Sequence, residues 1–204
     1  MVYPLDPELR LFTRRLVLRP LRSDDFDQFA AARAKSDEWL TPWEPTRPKA
    51  SLDPSRDRVA FVSRCAARER DRHLGNGYAF GIFLDAALVG EINISNVSRG
   101  VMQSAMVGYW IDESVAGRSL TPEGLVGVIA FIFDDVGLHR LQINIIPRNK
   151  ASRRVVEKLG IREEGLSLRY VKINGEWEDH INYAITVEEW QERSQELLSE
   201  WVGG

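Results

Sequence analysis

Residues 108–124 read Gly-Tyr-Trp-Ile-Asp-Glu-Ser-Val-Ala-Gly-Arg-Ser-Leu-Thr-Pro-Glu-Gly (GYWIDESVAGRSLTPEG). The unit from Val107 to Val136 is a strand, a short glycine-containing link (Ser114 to Leu120) and a helix. Thr121 is expected as the helix cap, with Pro122 at the first helical position followed by Glu123. A short loop feeding a helix leaves unpaired backbone N–H groups and the positive end of the helix dipole directed at one spot. That arrangement suits a diphosphate. Alone it is a weak signal, because many helices begin after a glycine.

The flanking segments have different periods. Upstream, Tyr78 to Leu84, the turn Asp85 to Ala87, Leu88 to Val97 and a third strand ending in Val107 to Ile111 read as an antiparallel meander. Leu16, Leu18 and Leu21 mark a short edge-type strand, and Ser23 is placed to cap a helix that runs to about Asp37. Trp39 to Asp57 holds Pro42, Pro45, Pro48 and Pro54 and reads as one long loop, before Arg56 to Arg72 resumes helical spacing.

Downstream, Arg140 to Ile146 is a strand broken by Pro147. Asn149 then caps a helix ending at Leu159, with Gly160 as its left-handed stop. Arg169 to Ile173, the turn Asn174-Gly175 and Glu176 to Ile185 form a hairpin, and a last helix covers Val187 to Trp201. The class is α+β, organised as one domain over residues 1–204 with a core at 14–186.

The bulk properties bound the function. The chain has 204 residues and a formal net charge of −3, which argues against the broad basic face of a non-specific nucleic-acid binder. One cysteine, Cys65, permits no intrachain disulfide and has no spacing partner for a zinc site. Its neighbours read as a helix face, so a packed side chain is expected in place of a nucleophile. Met1 to Leu11 carries Asp6, Glu8 and Arg10 without a long apolar run, and no other segment could span a bilayer. A cytoplasmic protein that binds no membrane and no metal is expected.

The order GYWIDESVAGRSLTPEG, then VGLHRLQINIIPRNKASRRVVEKLGIREEG (136–165), then RYVKINGEWEDH (169–180) resembles the GNAT acetyltransferases, and within them the RimJ-type enzymes that acetylate protein N-termini. SNVSRG (95–100) and PWEP (42–45) fit the same group, so the resemblance covers roughly Arg14 to Thr186. It implies a mixed central sheet of about seven strands, flanked by helices and splayed at a slot for acetyl-CoA. The backbone of Trp110 and Ile111 would pair with the pantetheine amides. The loop Ala116, Gly117, Arg118, Ser119, Leu120 and Thr121 would hold the pyrophosphate, and Asn149 and Ser152 would approach the pantetheine and thioester sulfur.

Three positions depart from the family's Q/R-x-x-G-x-G/A loop. Ala116 replaces Gln or Arg, Ser119 the central Gly, and Thr121 the final Gly or Ala. Side chains at Ser119 and Thr121 would either crowd the phosphates or donate hydrogen bonds to them.

Transfer to an amine requires a neutral nucleophile, a donor to the developing oxyanion and a proton for the leaving thiolate. The resemblance gives the oxyanion donor as the Ile111 N–H and the mechanism as direct attack without an acyl-enzyme. Ser152 stands where the superfamily often places an acid, commonly tyrosine; the rival reading is a residue that only hydrogen-bonds the cofactor. Glu91 and Glu44 are the candidate bases, although Glu91 alternates with Ile92 and Ile94 and would then face solvent, and Glu44 would equally bind the substrate ammonium. Trp39, Trp43, Asn93, Tyr170 and Trp177 are candidates for the peptide-facing wall, and His180 reads as structural. The acceptor implied by the resemblance is a protein N-terminus, from a ribosomal protein or the ribosome. A small amine, and a non-catalytic CoA-binding module, are the alternatives. Either a monomer or a homodimer is compatible with the sequence.

Overall fold

Two successive left-handed residues, Asp85 (φ 49°) and Ala86 (φ 64°), make the tight turn that starts the meander. The computed structural model describes residues 9–46 and 51–203, so Met1 to Glu8 and Pro48 lie outside the described residues. The strands are β1 (Leu11–Phe12), β2 (Leu16–Arg19), β3 (Tyr78–Leu84), β4 (Ala87–Ser98), β5 (Ser104–Ile111), β6 (Arg140–Ile145), β7 (Arg162–Ile173) and β8 (Glu176–Thr186). They form one eight-stranded sheet in the order β1-β2-β3-β4-β5-β6-β8-β7. The strand beyond the expected seven is β1, which pairs Leu11 with Leu18 and moves β2 in from the edge.

The helices are α1 (Phe26–Lys35), α2 (Asp37–Leu40), α3 (Arg58–Leu74), α4 (Leu120–Ala130), α5 (Lys150–Lys158) and α6 (Val187–Leu197). Part of the expected long loop is therefore helical, as α2 and the 3-10 turn Thr41–Trp43. Ser23 is not the side-chain cap of α1. Instead the Arg22 N–H donates to Asp25 Oδ2, while Arg19 clamps both oxygens of the buried Asp25.

Packing explains the element boundaries. Leu125, Ile129 and Ile132 on α4 and its following wide turn meet Leu18, Phe80, Ile92 and Ile94 on one face of the sheet, all without exposure. On the other face Phe29 of α1 and Phe61 of α3 pack on Phe83 and Leu88. Each such aromatic or aliphatic side chain contributes about 1.5–3 kcal/mol. The middle of β3 and the first half of β4 are thus buried on both faces, whereas β2 and β5 alternate between buried and partly exposed positions.

The slot arises where two strands part. Neighbours in the sheet run antiparallel except β5 and β6, which are parallel and paired only at Ser104–Arg140, Ala105–Leu141 and Met106–Gln142. Beyond these residues β5 continues along β4 as far as Ile111 opposite Gly90, while β6 follows β8 to Ile145 opposite Ile181.

Candidate active site

The parting strands open a cavity of about 1010 Å³, bounded by the ends of β5, the start of α4, the start of α5 and the loop after α2. Of the residues expected at the site, Trp39, Trp43, Glu44, Asn93, Trp110, Ile111, Ala116, Gly117, Ser119, Leu120, Thr121, Asn149 and Ser152 line it. The volume is at the upper end for small-molecule sites, enough for a long ligand and a second reactant.

The ladder between β4 and β5 decides which backbone groups face this cavity. The Asp112 N–H donates to the Val89 carbonyl, and Glu91 lies opposite Trp110 two residues earlier. By the alternation of an antiparallel ladder, Trp110 therefore spends its N–H and C=O on β4, whereas Tyr109 and Ile111 turn theirs into the slot. The expectation for Ile111 fits this geometry. Trp110 also lines the cavity, but the ladder directs its backbone groups to β4.

At the loop, Val115 and Ala116 donate back to Asp112 and Glu113, but among the described residues no protein acceptor is recorded for the N–H groups from Gly117 to Thr121. Pro122 has no N–H to offer. Helix α4 begins at Leu120, so the cap is Ser119 and not Thr121, which lies inside the first turn. Ser119 adopts φ 60°, the left-handed conformation that a glycine would occupy without cost. Its hydroxyl accepts a hydrogen bond from Lys158 Nζ at 2.7 Å. Buried Glu123 pins the helix start from behind, accepting from Thr13 Oγ1 and from the Arg15 N–H and Nε, each at 2.7 Å. Arg148, Lys150, Arg154 and Lys158 add cations to the wall. Unpaired N–H groups, a helix N-terminus and these cations together make a seat for a diphosphate.

Opposite the loop, Asn149 caps α5 by accepting from the Ser152 N–H at 3.0 Å, and Gly160 (φ 57°) ends the segment as expected. Ser152 Oγ donates to Tyr109 Oη at 3.1 Å, and Tyr109 donates to the Ser152 carbonyl at 3.2 Å. Burial pushes the Tyr109 phenol well above the ordinary tyrosine range, and the Ser152 bond offsets only part of this.

Residues 15–162 match the profile described as Acetyltransferase (GNAT) domain. The chain belongs to the GNAT acetyltransferases. This GNAT enzyme is an N-acetyltransferase. It is 32% identical over 186 residues to the [ribosomal protein uS5]-alanine N-acetyltransferase of Escherichia coli, covering 90% of this chain and 94% of that one. It is 33% identical over 172 residues to the probable N-acetyltransferase YjcK of Bacillus subtilis, covering 83% and 85%. Among solved structures, Mycobacterium smegmatis RimJ in complex with CoA-disulfide superposes with a TM-score of 0.80 at 33% identity, covering 89% of this chain and 87% of that one.

In this GNAT enzyme four sequence candidates stand apart from the cavity. Glu91 is buried, not solvent-facing, because α1 and α3 cover that side of β4; both its oxygens accept from Arg64 at 2.9 Å, and Oε2 also accepts from Trp110 Nε1 at 2.9 Å. Tyr170 is exposed, packs edge-on against His180 with centroids 5.7 Å apart, and does not line the cavity; nor does the exposed Trp177. Arg118 presents its side chain to solvent and gives its carbonyl to Arg15, leaving only its backbone N–H on the loop. His180 is buried and bonded to the Glu178 carbonyl, as a structural histidine would be. Cys65 is half-buried, and burial pushes its thiol up to about 11, which suits packing and not attack.

Glu44 does line the cavity, but in company. Arg33, almost fully buried, grips both its oxygens at 2.6 Å and lies 5.1 Å from the Trp110 ring centroid. The loop that carries Glu44 is held in turn by the β7–β8 hairpin, since Asn174 donates to the Glu44 carbonyl and Pro45 bridges to Ile173. Arg148 stacks over Trp43 at 4.7 Å and bonds Glu178. Tyr109, Arg33 and Arg148 were not singled out from the sequence. Tyr109 was open to detection through its strand alternation with Ile111.

Proposed function

We propose that the chain transfers the acetyl group of acetyl-CoA to the α-amine of a protein N-terminus, with a ribosomal protein as substrate, by direct attack in a ternary complex in the cytoplasm. The observation that carries this reading is the convergence, in one cavity, of the unpaired N–H groups of residues 117–121, the open edge of β5, the Tyr109–Ser152 pair and the Glu44 carboxylate. The acceptor class is supported by the relatives, whose names include an alanine N-acetyltransferase of a ribosomal protein.

Acetyl-CoA as co-substrate supplies an activated acyl carbon and a thiolate leaving group. Residues 117–121 bind its diphosphate, and Ile111 donates its free N–H to the carbonyl oxygen as negative charge develops there. Glu44, already neutralised in part by Arg33, receives the substrate's N-terminal ammonium and orients it. An α-amine has a pKa near 8, so a useful fraction is neutral at physiological pH and loses its proton to water without a strong base. The new C–N bond forms as the C–S bond breaks. Tyr109 gives its proton to the departing sulfur and is reprotonated from solvent, with Ser152 holding the phenol in place.

The test is thiol release from acetyl-CoA with a panel of N-terminal peptides and small amines at varied concentrations of both substrates. Intersecting initial-velocity lines with a free-amine peptide are expected. Parallel lines would point to an acyl-enzyme, exclusive use of small amines would overturn the acceptor, and no turnover despite acetyl-CoA binding would overturn the enzyme reading.

A further inference from the structure

On the face of the sheet that α1 and α3 cover, α3 sets Arg64, Arg68 and Arg72 four residues apart along one stripe. With Arg22 they surround a second cavity of about 70 Å³. Two carboxylates share the space: Glu91, held by Arg64 at 2.9 Å, and Glu69, bonded to Arg72 at 3.1 Å. Four guanidinium groups against two carboxylates leave the lining with an excess of two positive charges.

Arg68 meets opposite charge only through space, from Glu91 and Asp71. Arg22, Arg64 and Arg72 each have a partner, but among the described residues no hydrogen bond or contact ion pair is recorded for Arg68. Burial and the neighbouring Arg64 charge hold its pKa below the ordinary arginine value. A half-buried guanidinium without a hydrogen-bonded acceptor gains free energy when an anion enters the cavity beside it. Size favours a small anion. One water needs roughly 10–15 Å³ on this measure, so the cavity has room for about five to seven waters. A compact oxyanion such as phosphate or sulfate fits that space.

We infer that this cavity is a binding site for a free tetrahedral oxyanion, inorganic phosphate or sulfate, seated against Arg68 and Arg64. The site communicates with the cleft through one carboxylate, because Glu91 accepts from both Arg64 and Trp110 Nε1, and Trp110 lines the acetyl-transfer cavity. An oxyanion drawing on Arg64 alters the hydrogen bond at the indole, which makes Trp110 a reporter of occupancy.

Inorganic phosphate is titrated into the whole protein by calorimetry and by tryptophan emission, at constant ionic strength set with chloride and with the main cleft saturated by CoA. Saturable binding is expected, with sulfate competing. Both Arg68→Ala and Arg68→Gln should weaken it at least about tenfold, the loss of one charge-assisted hydrogen bond, while CoA affinity stays as in wild type. Trp110→Phe should keep the heat of binding and lose most of the emission change. Unaltered phosphate affinity in both Arg68 variants, or no saturable binding in the wild type, would overturn the site. Phosphoserine binding as tightly as inorganic phosphate would overturn the restriction to a free ion.

Discussion

Tyr109 and Ser152 exchange two hydrogen bonds across the floor of the cleft, Ser152 Oγ to Tyr109 Oη at 3.1 Å and Tyr109 Oη to the Ser152 carbonyl at 3.2 Å. The phenol is thereby aimed from β5 at the point where α5 begins. Burial raises its pKa, so it remains protonated, as a proton donor must, up to and beyond the ordinary tyrosine value of about 10. Tyr109→Phe should lower kcat by roughly 100-fold with a smaller change in KM for acetyl-CoA. Ser152→Ala, which frees the phenol without removing it, should lower kcat less. Steady-state kinetics of both variants checks the order, and equal kcat in Tyr109→Phe and wild type would remove the phenol from the chemistry.

Glu91 should separate stability from catalysis. Its carboxylate is buried against Arg64, and removing one partner of such a pair leaves an uncompensated charge, at a cost of about 3 kcal/mol. Glu91→Gln should lower the denaturant midpoint accordingly while kcat stays within a few-fold of wild type. A catalytic base would show the reverse pattern.

Gly90 lies opposite Ile111 where β4 leaves no room for a side chain. A Cβ built there would stand 2.3 Å from the Trp110 carbonyl oxygen, so the strands would have to move. Gly90→Ala should cost about 2–3 kcal/mol, seen in urea unfolding, and should lower kcat because Ile111 lies directly opposite.

Acid should weaken the tie that Glu164 makes to Arg140 and Arg162. Arg140 and Arg162 hold the Glu164 carboxyl down at about 2. A carboxyl whose pKa is lower in the folded than in the unfolded chain stabilises the fold above its unfolded value, near 4.3, and that contribution is lost as pH falls toward the folded value. Wild type should therefore lose more Tm between pH 6 and pH 3 than Glu164→Gln does, as measured by thermal scans.

How far the sequence reveals this molecule depends on the range of the signal. The Asn149 cap, the Gly160 stop and the Asn174-Gly175 turn are local signals, and each is found where it was expected. The helix start at Ser119 was misplaced to Thr121, because the cap there is a left-handed serine without a side-chain bond to the helix, a conformation that residue type does not announce. The strand β7 begins at Arg162, seven residues ahead of the expectation, since Arg162 to Leu168 lies at the sheet edge and lacks an apolar alternation. Glu91 misled for the opposite reason. A strand covered on both faces buries both alternating sets, and only the tertiary partners Arg64 and Trp110 make a carboxylate tolerable there. The Tyr109–Ser152 pair joins positions 43 residues apart, and no local pattern encodes such a meeting.

The acceptor is the centre of the account. Acetyl-CoA is incubated with the enzyme and a peptide that carries both a free N-terminus and an internal lysine, and the product is sequenced by tandem mass spectrometry. The account predicts one added acetyl group, located on the α-amine, and no product when that amine is blocked. Acetylation confined to the lysine side chain, or undiminished after blocking, would contradict it.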